Sequence, residues 1–252
     1  MQVDRLDGEE TLLLTDSTCS DEEDESAREI ILDSSFVENP CLSSVYEQAG
    51  EAAAFQNILQ NFDGEFSVAH LKLSASSDIS GNAVTKPPSN YIIDIEFNTN
   101  RLNRPELSVA RTLIHELIHA EMWRKLLSLA GKGELNYDNW TTAEQVNFVY
   151  SIRDNFPGIY DYYRNYKNWH HEQMAAHYRY IKEEGLRQYD NSYSNEIYEA
   201  LAWVGLRGEG GINGVTGLTE YPTTAWENLD QERRLELIDL NNLFKESNPN
   251  CQ

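Results

Sequence analysis

Long apolar runs are missing from this chain of 252 residues: no stretch of eighteen apolar residues occurs, which predicts no membrane-spanning helix. Cysteine is scarce, with only Cys19, Cys41 and Cys251. That is too few and too scattered for a zinc ribbon or a disulfide scaffold, although Cys41 and Cys251 flank the expected folded region and can pair if the protein is exported. The start of the chain lacks a basic segment followed by an apolar one, so it does not read as a signal peptide as it stands. Positive charge is also in short supply: 20 Lys and Arg face 42 Asp and Glu, a formal net charge of −22. An acidic surface repels phosphates, so no nucleic-acid partner is expected.

Much of that negative charge lies at one end. Residues 1–35 hold twelve acidic residues against Arg5 and Arg28, with Asp21-Glu22-Glu23-Asp24-Glu25 at the centre. Like charges at this density, with few apolar residues, cannot collapse, so 1–35 is expected to be a disordered tail or linker and 36–252 the folded domain. Folding is expected to begin near Pro40. Val45, Ala52, Phe55, Ile58 and Leu59 fall at helical spacing and predict a helix over Ser43–Phe62. Phe66–Leu73 reads as extended and Ser77–Asn90, with Gly81, Pro87 and Pro88, as a loop. In Tyr91–Asn98 the apolar residues Tyr91, Ile93, Ile95 and Phe97 alternate with polar ones, which predicts a strand with one buried face.

A helix is expected from Pro105 and Glu106 to Ala130, stopped by Gly131. Further helices are expected over Trp169–Glu184, ended by Gly185, over Asn195–Val204, and from Thr224 to Phe244. Six glycines between Gly205 and Gly217 mark a loop. The fold class is therefore α+β: a mostly helical domain with a small sheet.

The first of the long helices carries His115-Glu116-Leu117-Ile118-His119. Histidines four apart stand one turn above each other on one face, where their nitrogens can converge on a single ion. Glu116 lies about 100° round the helix, placed to take a proton from water polarised by that ion. Leu113, Ile114, Leu117 and Ile118 make the rest of the helix apolar, which predicts burial on nearly all sides. Two histidines and a glutamate in such a setting are costly without a compensating ion or partners. The strand just before this helix is expected to present an extended substrate beside the ion.

A catalytic zinc usually takes three protein ligands. The metzincin position for the third, six residues after His119, holds Lys125, which excludes that pattern. Met174, Ala175, Tyr178, Ile181 and Leu186 define the inward direction of the later helix, and at 100° per residue His171 falls within about 20° of it. His170 and His177 point further away, and Glu172 further still. The expected metal set is His115, His119 and His171, with His170, His177, Glu172 or Glu199 as alternatives for the third position. Tyr178 and His177 are further candidates for stabilising an oxyanion.

Thr112-Leu-Ile-His-Glu-Leu-Ile-His-Ala120, followed by Trp123, resembles the active helix of SprT-like zinc metallopeptidases. Phe156–Tyr163, Trp169–Ala175 and Ala200–Gly205 are similar to segments of SprT-like proteins of Bacteroidetes bacteria. The resemblance implies a zincin-like domain with the sheet beside the active-site helix. It also implies Zn2+ on three histidines and a metalloendopeptidase-like hydrolase acting on a protein or peptide substrate. By position it assigns His115 and His119 as ligands and Glu116 as the catalytic base, and it places the third histidine at His171. The alternative expectation is an inactive zinc-binding interaction module of a larger secreted or cell-surface protein.

Overall fold

A computed structural model describes residues 30–63, 67–130 and 169–251. Its four-stranded sheet has the order β1-β2-β4-β3, formed by Ile30–Leu32 (β1), His70–Ser76 (β2), Ala83–Thr85 (β3) and Ile92–Asn98 (β4). β1 and β4 flank β2 in parallel, and β3 adds antiparallel to β4 at the edge, with Val84 opposite Glu96. The expected alternation of β4 is present: Ile93, Ile95 and Phe97 are buried with Leu71 and Leu73 of β2, while Tyr91, just before the strand, is exposed. Lys86 bridges Asp94 and Glu96 on the polar side. Each buried Leu, Ile or Phe contributes about 1.5–3 kcal/mol, against less than about 1 kcal/mol for an exposed ion pair, so the apolar face fixes the register.

Against that face lies α4 (Glu106–Ala130), which packs on β3 and β4 and on the other side meets α2 (Pro40–Ala49), α3 (Ala53–Leu59) and the later helices, while α1 (Ser34–Val37) packs on β2 and α2. Val109, Ala110, Leu113, Ile114, Leu117 and Ile118 are all at most 1% exposed, so this helix is the spine of the core, as its all-round apolar pattern predicts. Among the described residues no helix is long and apolar enough to cross a membrane.

Several boundaries differ from expectation. Ile30–Leu32 belong to the fold, because the sheet recruits β1 from the segment read as tail; residues 1–29 lie outside the described residues. The helix expected over Ser43–Phe62 is two, α2 (Pro40–Ala49) and α3, with Gly50 closing the first and extended Ala52 opening the second. The break lets Val45 and Phe55 reach different parts of one core. The start of α2 follows the rule that places Pro in the first turn, with Asn39 accepting from the Leu42 amide.

Gly185 does not stop its helix. The chain runs from α5 (Trp169–Gln173) through a π-helical turn at Met174–Tyr178 into α6 (Arg179–Tyr189). A Cβ on Gly185 would stand 2.3 Å from Ile114 Cδ1, so glycine is there to let α6 approach α4. The π turn shifts the helical phase of the residues after it, so Ile181, expected inward, is 38% exposed and Lys182 is wholly buried in its place. After α7 (Asn195–Ala202) and the short hairpin Gly208–Glu209 (β5) and Tyr221–Pro222 (β6), the expected last helix is again two, α8 (Thr224–Glu227) and α9 (Gln231–Ser247). Cys41 and Cys251 are joined by a disulfide that ties the end of the described chain to α2.

Candidate metal centre

α4 and α5 bring three imidazoles together. His119 Nε2 lies 3.2 Å from His115 Nε2 and 3.2 Å from His171 Nε2, and the three ligand atoms all lie within 4.8 Å of one another. Nitrogens 2.0–2.1 Å from a tetrahedral ion are about 3.3–3.4 Å apart, so the spacing suits one small cation. Hydrogen bonding alone accounts for the cluster poorly, since His119 Nε2 faces two ring nitrogens and has one position to share. Burial pushes the His171 imidazole down to about 4. Burial likewise holds His115 well below the ordinary range. Both rings are therefore neutral near pH 7, the form that offers a lone pair to a metal.

Lys182, absent from the sequence expectations because a lysine is assigned outward by default, is 0% exposed. Its Nζ donates to the Val204 carbonyl at 2.9 Å and lies 3.2 Å from His115 Nδ1. If His115 gives its Nε2 lone pair to a cation, Nδ1 carries the proton and donates a hydrogen bond that Lys182 can accept only as a neutral amine. Its surroundings favour that form, because burial and then Arg111 and Arg207 lower the Lys182 pKa well below its ordinary value, against a smaller opposing pull from Glu116. Gly205 sits on the other side of the same ring with φ +82°, and a Cβ there would lie 2.9 Å from His115 Cε1. Only a residue without a side chain allows both that backbone conformation and that contact.

Glu116 is 7% exposed, and burial pushes its carboxyl up to about 7 even though the Thr85 hydroxyl, 2.7 Å from Oε2, pulls the other way. Thr85 belongs to β3. Asn82–Thr85 line one wall of a cavity of about 490 Å³ whose other walls include Arg111, Thr112, Trp123, His171 and Gly205, with His115, Glu116 and His119 in its lining. The sequence reading placed the substrate-presenting strand at β4 and a loop at Ser77–Asn90. Instead β4 is internal, and the three-residue β3 takes the edge beside the site.

The alternative ligands have other roles. Glu172 accepts from the Thr224 amide at 2.7 Å and caps α8, Glu199 pairs with Arg233 at 2.5 Å, and His177 is exposed. The His170 side chain lies outside the described residues. Tyr178 hydroxyl accepts from Lys125 Nζ at 3.2 Å, and neither Tyr178 nor His177 lines the cavity. The segment Phe156–Tyr163, used for the family resemblance, lies outside the described residues. No family model, curated protein or solved structure matches this chain.

Proposed function

We propose that the protein is a zinc-dependent peptidase with a zincin-like, SprT-like catalytic domain. The observation that carries this reading is the convergence of three imidazoles, two of them on the helix that also carries the Glu116 carboxyl, inside one cavity beside a sheet edge. A purely structural metal site has no use for that carboxyl. A zinc ion held by His115, His119 and His171 supplies Lewis acidity toward a carbonyl and acidifies water.

Glu116 then acts as the proton carrier. Its elevated pKa, about 7, suits a group that must accept a proton from water and return it to a departing amine at neutral pH. Thr85 keeps the carboxyl turned toward the β3 wall by donating to it. β3 also provides a means of holding an extended chain. Asn82 and Lys86 pair with Asn98 and Asp94 of β4, so by alternation the backbone groups of Ala83 and Thr85 face away from β4, available to a peptide strand. The Cys41–Cys251 bridge favours an oxidising compartment.

Peptide-library digestion by the zinc-loaded full chain and its Glu116→Gln variant tests the reading. Cleavage by the wild type, reduced about 10²–10⁴-fold in the variant at unchanged zinc content, is expected. Cleavage that survives the substitution places the activity elsewhere, and a wild type that binds zinc but cleaves nothing leaves a binding module.

A further inference from the structure

The same cavity carries positive charge that proton transfer by Glu116 does not use. Arg111 stands one turn before His115 on α4, on the stripe Arg111–His115–His119, and lines the cavity. It is 4% exposed, and its Nη1 is buried without a hydrogen-bond partner. Arg207, 8% exposed, leaves Nε and Nη2 in the same state. Arg104 uses Nη1 on the Ser108 carbonyl and Thr112 Oγ1, while its Nε and Nη2 are buried without partners. No acidic side chain pairs with any of the three among the described residues, in a chain with 42 acidic residues to draw on. Burial first, and then the neighbouring charges of Arg104 and Arg207, push the Arg111 guanidinium down to about 9. It remains a cation at neutral pH. Buried cations with unsatisfied N–H groups are costly, and an incoming anion removes that cost.

We propose that Arg111 receives the free C-terminal carboxylate of a peptide substrate, an assignment that rests on the peptidase reading above. Four helical residues rise about 6 Å, and one or two extended residues span about 3.5–7 Å. A carboxylate on Arg111 therefore sets the bond one or two residues before the C-terminus against His115, His119 and Glu116. The flat guanidinium fork matches a planar carboxylate. The substrate class narrows from proteins in general to short peptides or free C-terminal ends, away from the endopeptidase expectation.

The test is calorimetric binding to the zinc-loaded full chain carrying Glu116→Gln, which leaves the peptide intact. An N-acetylated tripeptide acid is compared with its C-terminal amide and with inorganic phosphate. The acid is expected to bind about 10- to 100-fold tighter than the amide. Adding Arg111→Met reduces that preference to within about threefold, and Arg111→Lys retains part of it. Arg111→Met unfolds at a temperature no lower than its parent, because a buried unpaired charge is replaced by an apolar chain of similar length. Equal binding of acid and amide overturns the assignment, as does phosphate binding that depends on Arg111 without acid preference. If the wild type cleaves acid and amide alike, the peptidase reading survives and the Arg111 assignment fails. Acid preference with no turnover of either peptide by the wild type refutes the peptidase reading, and with it the substrate role of Arg111.

Discussion

Replacing Lys182 with methionine separates two opposite electrostatic pictures of the site. Lys182 is fully buried, so methionine keeps most of the packing volume while removing the amine that faces His115 Nδ1 at 3.2 Å and the Val204 carbonyl at 2.9 Å. With a neutral amine, Lys182 accepts a hydrogen bond from Nδ1–H, fixes the ring and leaves Nε2 free to bind a metal. Losing such a partner to a ligating histidine typically weakens metal affinity about 10–100-fold, or about 1.4–2.7 kcal/mol. The Val204 carbonyl loses its donor as well, which costs the metal-free protein about 1–3 kcal/mol. A charged ammonium predicts the reverse for the metal: it would claim the Nδ1 lone pair and repel the cation, so its removal would tighten binding. Competition with a chromophoric chelator measures zinc affinity, and denaturant unfolding of the chelated protein measures stability. Affinity weakened at least tenfold in Lys182→Met is the expected outcome. Unchanged or tighter binding would refute the neutral-amine account of His115.

Gly205→Ala should lower stability by about 1–2 kcal/mol through its positive φ alone, and the new Cβ should displace the His115 ring; paired melting and zinc titration check both effects. Glu116 is neutral in the metal-free fold up to about 7, whereas in the unfolded chain it ionises near 4.5. Stability is therefore lost as pH rises through that window, by about 3 kcal/mol at most. Chelated Glu116→Gln should gain stability on the chelated wild type between pH 4.5 and 7, as melting at several pH values will record. The depressed His171 pKa, about 4, acts in the opposite direction: its contribution is complete above about pH 6.5 and is lost as pH falls toward 4. The Cys41–Cys251 bridge spans 210 residues, for which chain entropy gives an upper bound of about 5 kcal/mol. Cys251→Ser should therefore unfold at markedly lower denaturant, and reduction of the wild type should reproduce the shift.

Legibility in the sequence depended on whether the signal was periodic. The His115 and His119 pair stands out because four-residue spacing on an apolar helix stacks two imidazoles on one face, and His171 lies one short step before Met174 and Ala175, whose buried side it shares. Beyond the π turn the phase fails, so Ile181 was placed inward and Lys182 outward. A π turn leaves no compositional mark. The edge strand β3 has three residues, too few for alternation to register between Gly81 and Pro87. Arg111 was hidden by its residue type, since a pattern of apolar positions treats arginine as surface. The role proposed for it rests on the cavity it lines and the donor it leaves unpartnered.

The most direct test of the three-histidine centre is elemental analysis of the purified full chain beside His171→Ala, each equilibrated with limiting zinc. The account predicts about one zinc per wild-type chain and loss of stoichiometric zinc in the variant, with the fold retained. Full zinc retention by His171→Ala, or a wild type that takes up none, would contradict it.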